Sequence, residues 1–339
     1  IKPGQLGSYR TFKKQFMESK RIPKNPRKLK GLLNKVMIRN KRGAGTVEFT
    51  KRIVNPIVIS LTPAEQELYR RVTEFIRARS KNSGLKNILP LITLQREVCS
   101  SFLATGLTLE KMIVNLDNAE ASEAASLLKD LADVKQNSKC DALEKLVRTL
   151  TDKVIIFTEF KASQKYIRYR LEKAGYFTVA FDGSLSRGKK QWVRSVFQKD
   201  AQILVSTESG GEGLNFQFCN QVINFDLPWN PMRLEQRIGR VHRLGQTRDV
   251  QIYNLITKGT IEEHIMFLLH QKINMFESII GELDAILLHL KLGRSFEAEI
   301  MKIFLAHEEK ELIREKLASF GDHFLEGQKQ VKESSWDLL

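Results

Sequence analysis

The sequence predicts an α/β protein whose centre is a parallel sheet with helices on both faces. Short, continuous apolar runs alternate with segments of helical periodicity, which is typical of strands that are covered on both faces. Each run spans four to seven residues, as strands usually do. The five runs are Val154–Thr158, Thr178–Phe181, Ile203–Ser206, Val222–Phe225 and Val250–Ile256.

Helical patterns flank this sheet on both sides. Thr62 is followed three positions later by Glu65, a pair that is typical of a helix N-terminus. Asn118–Asp133 carries alanines and leucines at helical spacing, and the last part of the chain reads as charged amphipathic helix. The predicted parts are a helical region at 61–150, the sheet domain at 151–265 and a C-terminal helical extension at 266–339.

Positive charge is concentrated at the start of the chain. Residues 1–60 hold 16 lysines and arginines against two acids, so they carry +14 of the formal net charge of +16. A basic leading segment beside a balanced body suggests contact with a polyanion, most simply nucleic acid. A solvated tail is the alternative explanation.

The composition excludes several classes of protein. Hydrophobic residues make up 42% of the chain, but no apolar run approaches the roughly 18 residues of a membrane span. Three widely separated cysteines form no CxxC pair, which predicts reduced thiols and no metal site. The chain begins without Met and without an apolar leader, so we expect a piece of a longer cytoplasmic protein.

The stretch from residue 203 to residue 246 carries the most specific signal. If a helix runs through Gln236, Arg240 and Arg243, these side chains form one polar stripe at about 0°, 40° and 340°. Arginine suits phosphate because its planar fork stays charged and donates two hydrogen bonds at once. A basic, solvated surface helix is the alternative. The opposite face of the same helix is apolar, with Leu234, Ile238 and Val241.

This stretch resembles motifs V and VI of the superfamily-two helicases, in their Swi/Snf branch. That branch ends motif VI in Arg-x-x-Arg followed by Gly-Gln, as at Arg240–Gln246, and it carries Asp-x-x-Trp-Asn-Pro, as at Asp226–Pro231. Glu208 and the sequence at Asn215–Phe218 are similar to the bacterial RapA/HepA-like branch. The resemblance implies a RecA-like lobe, the second of two motor lobes. It also makes residues 1–60 the basic end of the first lobe and the linker.

A glycine-rich turn follows the strand candidate at Ile203–Ser206. Its glycines allow successive backbone N–H groups to face one anion, although an ordinary tight turn is the alternative. In the resembled family an acidic residue at this place meets the ribose of the nucleotide. The resemblance therefore assigns Gly211, Glu212 and Gly213 to nucleotide binding, and Thr207 to the nucleic-acid backbone.

Four further residues are candidate contacts to DNA. The resemblance implies that Trp229 and Asn230 face DNA, and their loop setting favours a partly exposed tryptophan ring over a core one. Lys161 and Ser184 each follow a strand at the end where open α/β sheets bind ligands, and exposed polar residues are the alternative. His242 lies off the arginine stripe, so a structural role is predicted for it.

The chain lacks the parts that hold ATP in such motors. Gly183–Lys190 nearly spells a phosphate loop, but position 190 is Lys, where the loop needs a hydroxyl for magnesium. The sequence contains no other candidate loop and no Asp-Glu pair. The resemblance therefore implies that ATP and Mg²⁺ are bound mainly by a first lobe outside this chain, and that the chain alone does not hydrolyse ATP.

The sequence thus predicts the C-terminal half of an ATP-dependent translocase or remodelling motor on double-stranded DNA. Arg240 and Arg243 would stabilise charge on the γ-phosphoryl group, and Gln236 would help to position it. The implied partners are duplex DNA, the first RecA-like lobe and, as a further candidate, RNA polymerase or another DNA-bound complex; no membrane is implied. The expected location is the cytoplasm, and the nucleoid if the source is bacterial. The alternatives are a non-catalytic module that binds nucleic acid or RNA polymerase, and an RNA helicase lobe.

Overall fold

The computed structural model divides into two compact units. The smaller unit comprises residues 1–48, 279–293 and 323–339, and the larger unit comprises residues 49–278 and 294–322. The parts of the chain that the structure describes are residues 7–17, 24–25, 28–29, 31–32, 50–83, 88–207, 215–272 and 296–336.

Helix α1 (Tyr9–Phe16) is the best described part of the smaller unit. It begins at Ser8, whose hydroxyl accepts a hydrogen bond from the backbone N–H of Thr11 and so satisfies one free donor of the first turn. The side-chain amide of Asn25 donates to the carbonyl of Gln15 at 2.9 Å. The helix is therefore held at both ends by local hydrogen bonds.

The larger unit is built on a six-stranded sheet in which every pair of neighbours is parallel. The order across the sheet is β1-β6-β5-β2-β4-β3. All five strands that the apolar runs predict are present, with bounds that differ by one residue at most. The strands are β1 (Arg52–Ile59), β2 (Val154–Thr158), β3 (Thr178–Phe181), β4 (Ile203–Thr207), β5 (Gln221–Asn224) and β6 (Val250–Thr257).

The sixth strand, β1, lies in the segment predicted as the linker. It pairs with β6 from Arg52 opposite Val250 to Ile59 opposite Thr257. It is an edge strand, and a proline such as Pro56 is tolerated there because one side of the strand has no neighbour that requires its missing N–H. The apolar stretch before residue 60 is therefore part of the same sheet as the five predicted strands.

Helices surround the sheet and extend beyond it. The described helices of this part are α2 (Pro63–Ser83), α3 (Ile88–Ser100), α4 (Phe102–Ile113), α5 (Asn118–Asp133), α6 (Ser138–Thr149), α7 (Lys161–Lys173), α8 (Arg187–Lys199), α9 (Pro231–Ile238), α10 (Ile261–Met266), α11 (Phe296–Ala306) and α12 (Lys310–Trp336). A π-helical turn, Phe267–Lys272, continues α10. The predicted helical region and helical extension are both present among these.

The core lies on both faces of the sheet. Every residue of β2 and β4 is buried, as expected for strands that are covered on both sides. On one face, α6 and α7 pack Leu143, Val147 and Leu171 against the strands. On the other face, the rings of Phe181, Phe197 and Phe216 meet edge to face with centroids 6.0 Å apart.

The helical region is tied to the sheet through polar groups as well as apolar contacts. Lys139 of α6 is buried, and its ammonium donates to Glu262 at 2.5 Å and to the carbonyl of Cys99 at 3.0 Å. Burial alone would lower the pKa of Lys139, but the carboxylates of Glu262 and Asp226 outweigh burial and raise it. Lys139 is therefore a paired, charged residue in the interior, which isolated burial would not permit.

Cys99, Cys140 and Cys219 are free and buried, and burial raises the pKa of each thiol, to about 12 for Cys219. Among the residues with described structure, no group of three or more His, Cys, Asp or Glu is placed to hold a metal ion. None of the described helices combines the length and the apolar character that a membrane span needs.

The buried carboxyl of Glu97 predicts a pH dependence of stability. Burial in α3 raises the pKa of Glu97 from 4.5 to about 7, although Thr108 and Lys111 lower it in part. The folded state therefore holds a proton that the unfolded chain releases between these values. This contribution to stability is complete below about pH 4.5 and is lost as the pH rises through about 7.

We expect Glu97→Gln, which cannot ionise, to be more stable than the wild type at pH 8 by up to about 3 kcal/mol. At pH 5 the two proteins should differ little. Urea unfolding at both pH values measures the difference, and Glu110→Gln, at an exposed position on α4, is the control. Equal stability of Glu97→Gln and wild type at pH 8 would contradict the assignment.

Candidate functional site

The predicted site residues separate between the two edges of the sheet. In a parallel sheet all strands end at one edge and begin at the other. Lys161, Ser184 and Thr207 lie where strands β2, β3 and β4 end, which is the carboxyl edge. Arg240 and Arg243 lie in the connection that leads into β6, at the amino edge. The two sets therefore face different surroundings.

Helix α9 begins at the carboxyl edge and ends before the arginines. Asn230 caps it, since its side-chain oxygen accepts a hydrogen bond from the backbone N–H of Met232 at 2.9 Å, and Pro231 occupies the first helical position. The helix ends at Ile238. The prediction that one helix carries Gln236, Arg240 and Arg243 is therefore wrong in its length, because only Gln236 lies within the helix.

The end of α9 is marked by a change in backbone hydrogen bonding. After Gly239 the chain tightens, and the N–H groups of Arg240 and Val241 bind carbonyls three residues back at 3.1 Å and 3.0 Å. We name residues 239–246 the arginine turn. The apolar positions Leu234, Ile238 and Val241 are all buried, as predicted.

His242 has the structural role that the sequence predicts. Its Nδ1 accepts a hydrogen bond from Nε of Arg52 at 3.1 Å, and its Nε2 lies 2.6 Å from the carbonyl oxygen of Thr50. Arg52 also forms a two-pronged ion pair with Glu235 of α9, at 2.8 Å and 2.7 Å, and the two side chains are 9% and 2% exposed. We name Arg52, Glu235 and His242 the clasp. It joins the first residue of β1 to α9 and to the arginine turn.

Gln246 closes the arginine turn from the other side. Its side-chain nitrogen lies 3.0–3.2 Å from three backbone carbonyls, those of Gln217, Cys219 and Val241. Its side-chain oxygen accepts from the next two backbone N–H groups at 3.0 Å and 3.1 Å. Gly245 before it has φ +94°, a conformation that side chains other than glycine rarely adopt. The Gly-Gln that ends the motif is therefore structural.

The three predicted catalytic side chains lie on α9 and on the arginine turn that follows it. Gln236 and Arg243 are exposed, and Arg240 is half-buried. The backbone carbonyl of Arg240 accepts from the N–H of Phe216 at 3.1 Å, and Nε of Arg243 donates to the carbonyl of Gly239 at 2.5 Å. The arginine turn therefore carries two arginines on a backbone that is held by hydrogen bonds. Such a preorganised arrangement is suited to binding an anion.

Lys161 and Ser184 are brought together at the carboxyl edge by one carboxylate. The ammonium of Lys161 lies 3.3 Å from Oδ1 of Asp182, and the same oxygen accepts from the backbone N–H of Ser184 at 2.7 Å and from its hydroxyl at 2.5 Å. Partial burial raises the pKa of Asp182, but these hydrogen bonds outweigh it and lower the pKa overall. Lys161 and Ser184 are both exposed.

The other residues that were predicted to contact the nucleotide or the nucleic acid differ in where the structure places them. Thr207 ends β4 and is buried. Gly211, Glu212 and Gly213 lie outside the described residues, so their assignment to the nucleotide stays a prediction. Asn230 is half-buried, and its side chain caps α9.

The expectation of a partly exposed Trp229 ring is wrong. Trp229 is only 1% exposed, and the guanidinium carbon of Arg96 lies 5.7 Å from the centre of its ring. Arg96 comes from α3 and is held over the ring by an ion pair with Glu159. The ring is buried because the helical region covers it, and a loop setting in the sequence gives no sign of such a cover.

Sequence reasoning missed a buried charged cluster at the carboxyl edge. Asp226 accepts from the hydroxyl of Thr158 at 2.5 Å and from the N–H of Glu159 at 2.9 Å. Arg237 of α9 donates to the carbonyl of Asp226 at 2.6 Å, and its guanidinium carbon lies 5.6 Å from the centre of the Phe157 ring. Arg52 was likewise counted with the basic segment. In a sequence, a buried charge looks the same as a solvated one.

Comparison with known proteins identifies relatives of this arrangement. A family model for the helicase conserved C-terminal domain matches residues 138–245. The chain is 44% identical over 327 residues to a Bacillus subtilis (strain 168) protein described as an uncharacterized ATP-dependent helicase, YqhH. That match covers 94% of this chain and 58% of the relative, so the chain spans little more than half of the relative's length.

Two solved structures share the fold. One is the C-terminal part of the Fun30 ATPase domain, with a TM-score of 0.53 and 22% identity, covering 77% of this chain and 100% of that one. The other is the Sulfolobus solfataricus SWI2/SNF2 ATPase core in complex with double-stranded DNA, with a TM-score of 0.50 and 25% identity. It covers 93% of this chain and 61% of that one. The predicted RecA-like lobe is therefore confirmed.

The clasp predicts a large cost for removing Arg52. Arg52→Ala leaves the buried carboxylate of Glu235 without its charged partner, so we expect the free energy of unfolding to fall by about 3–5 kcal/mol. Arg52→Lys should recover only part of this, because an ammonium cannot match the two oxygens of a carboxylate. Urea unfolding measures the effect, and Lys51→Ala, at the exposed neighbouring position, is the control. A change below about 0.5 kcal/mol for Arg52→Ala, as at an ordinary surface site, would refute the clasp.

Proposed function

We propose that this chain, which belongs to the Swi/Snf family of ATP-dependent helicases, is the second motor lobe of an ATP-driven translocase on double-stranded DNA. The observation that carries the proposal is the arginine turn. It holds two arginines at the amino edge of the sheet on a backbone fixed by the clasp and by Gln246. A surface helix with a solvated basic face would need neither the clasp nor the hydrogen bonds of Gln246.

Arg240 and Arg243 would act on ATP held by another lobe. Charge spreads over the oxygens of the γ-phosphoryl group as it is transferred, and arginines supplied from a neighbouring lobe stabilise that charge. Gln236, exposed one turn earlier on α9, would help to position the group. Fixed donors are effective here because they need no reorganisation at the moment of reaction.

We assign the magnesium ion to the first lobe. A nucleotide-bound Mg²⁺ takes oxygen ligands, usually carboxylates together with phosphate oxygens. Among the described residues no group of three or more His, Cys, Asp or Glu side chains is placed to hold a metal ion, and the side chains of the arginine turn suit phosphate rather than a cation. This chain would therefore complete an ATP site rather than form one by itself.

DNA would lie against the carboxyl edge of the sheet. Lys161 and Ser184 share Asp182 there and are exposed, so they can reach a phosphate backbone. The Sulfolobus relative was solved as a complex with double-stranded DNA, which supports a duplex rather than an RNA strand as the partner. Trp229 would have a structural role instead, because its ring is buried beneath the guanidinium of Arg96.

A module that binds DNA without any role in catalysis is the competing function. Such a module would use the carboxyl edge alone and would have no need of arginines fixed at the amino edge. The two functions differ in what a change at the arginine turn does to ATP hydrolysis.

We expect Arg240→Ala and Arg243→Ala, in a protein that contains both lobes, to lower the DNA-stimulated kcat for ATP by roughly 10³-fold or more. DNA affinity should change little, because the lost contact forms mainly in the transition state. Arg248→Ala is the matched control, since Arg248 is also exposed but pairs with Asp152.

Wild-type kcat in both arginine variants would favour the non-catalytic module. The isolated chain is expected to be inactive and serves as the reference. Turnover by the isolated chain at an ordinary enzyme rate, on the order of 1 per second, would contradict the assignment of the phosphate loop and metal to another lobe.

The carboxyl edge predicts a salt-dependent contribution to DNA binding. Each phosphate neutralised releases counterions, so Lys161→Ala should make the slope of log K against log salt shallower by about 0.9. Lys145→Ala, at an exposed lysine of α6, is the control. Deleting residues 1–42, which carry 14 basic residues and one acid, should flatten the slope further. Equal slopes for Lys161→Ala and wild type would remove this edge from the DNA surface.

A further inference from the structure

A cavity of about 570 Å³ lies at the carboxyl ends of β1 and β6. Ser60 follows β1 and Lys258 follows β6, and the N–H of Lys258 donates to the carbonyl of Ile59 at 2.8 Å, so the two strand ends stay together. Helix α2, the end of α11 and the start of α12 form the other walls. The carboxyl ends of parallel strands are where open α/β sheets bind ligands, and this volume suits a small molecule.

This cavity is far from the arginine turn. The clasp and the arginine turn adjoin the first residues of β1 and β6, whereas the cavity adjoins the last ones. Each of the two strands has eight residues, so about 23 Å separates the two places at roughly 3.3 Å per residue. The function proposed above does not use the cavity.

The mouth of the cavity carries an excess of positive charge. Arg70, Arg77, Lys258 and Lys310 line it, against the two acids Glu74 and Glu308. Arg70 is held by Glu67 and Glu74 at 2.5 Å, and Arg77 lies 3.8 Å from Glu308.

The two lysines at the mouth have no ion-pair partner among the described residues, and the nearby carboxylate of Glu263 binds the N–H of Gly259 at 2.9 Å. Neither Lys258 nor Lys310 forms an ion pair with a carboxylate of the described residues, and both are exposed. The ammonium of Lys310 lies 3.8 Å from the position that a side-chain carbon on Gly259 would occupy, so it leans over the turn that carries Lys258. Gly259 has φ +77°, which also makes a larger residue costly there.

His264 and Arg77 also line the cavity, but each has one nitrogen that is fully buried and therefore does not face it. His264 is 6% exposed, and its Nδ1 is buried with no hydrogen-bond partner in the described part of the chain. Nε of Arg77 is in the same state. Burial lowers the pKa of His264, so its ring is neutral at pH 7 and adds no charge to the wall.

The rest of the wall is apolar. Leu61, Phe304 and Ile313 line it, and the guanidinium carbon of Arg77 lies 5.5 Å from the centre of the Phe304 ring. Inorganic phosphate alone would leave these side chains uncovered, whereas a ligand with an organic body would cover them.

We propose that this cavity binds a small phosphorylated molecule, with its phosphate between Lys258 and Lys310 and its organic body against Phe304. A phosphomonoester carries a charge of about −1.5 to −2 at pH 7, and two lysines that have no ion-pair partner can approach it. Its oxygens can accept charge-assisted hydrogen bonds from the two lysine ammonium groups.

Isothermal titration of the full 339-residue chain tests the proposal with three probes: ribose 5-phosphate, inorganic phosphate and ribose. We expect saturable binding of ribose 5-phosphate, weaker binding of inorganic phosphate and none of ribose. Lys258→Glu and Lys310→Glu should each weaken ribose 5-phosphate binding at least about tenfold, since each removes a charge-assisted contact. Lys316→Glu, at an exposed position farther along α12, should leave the affinity unchanged.

The result that would overturn the proposal is a lack of saturation by ribose 5-phosphate at millimolar concentrations, or equal affinity in Lys310→Glu and wild type. Equal affinity for inorganic phosphate and ribose 5-phosphate would overturn the role given to the apolar wall. Thermal melts serve as the control for folding, and we expect the variants to fold because both lysines are exposed. Arg243→Ala should bind ribose 5-phosphate as the wild type does, so this site and the proposed function fail or stand separately.

Discussion

The ion pair between Arg52 and Glu235 is the constraint on which the geometry of the arginine turn depends. A buried pair of this kind adds little stability compared with apolar side chains of the same size, but it is costly to break once it is formed. Its value is therefore geometric. It fixes α9 to the first residue of β1 and, through His242, fixes the residue between the two arginines. The arginines can be aimed because the edge strand is in place.

At the carboxyl edge, a second group of charged side chains is buried under the helical region. Arg96, Lys139 and Glu262 join the helical region to the strand ends, with Asp226 at the centre. This cover explains why Trp229 is inaccessible while Lys161 and Ser184, farther along the edge, are exposed. The helical region is thus a structural part of the lobe and limits which of its loops a large partner can touch.

Sequence patterns predicted what depends on local periodicity. The apolar runs placed five strands to within a residue, and Asn118–Asp133 is a helix with those same ends, because burial on one face or both leaves a repeating signal. The length of α9 was missed because the apolar spacing of Leu234, Ile238 and Val241 continues although the backbone tightens after Gly239. Arg52 was missed because its partner lies 183 residues away, and no local pattern reports such a pair. Trp229 was misjudged because its cover comes from α3, a separate element.

The placement of β1 also has a consequence for the order of folding. Its partner strand begins at Val250, 198 residues after Arg52, so β1 leaves the ribosome long before β6 exists. At about 5–20 residues per second, the wait is roughly 10–40 s. During that time β1 is an apolar strand with open hydrogen-bonding groups, the kind of segment that pairs with other chains. Pro56 removes one donor from its middle, and Arg52 adds a charge at its start. The residues that later fit the strand to its sheet therefore also reduce its tendency to aggregate while it is nascent.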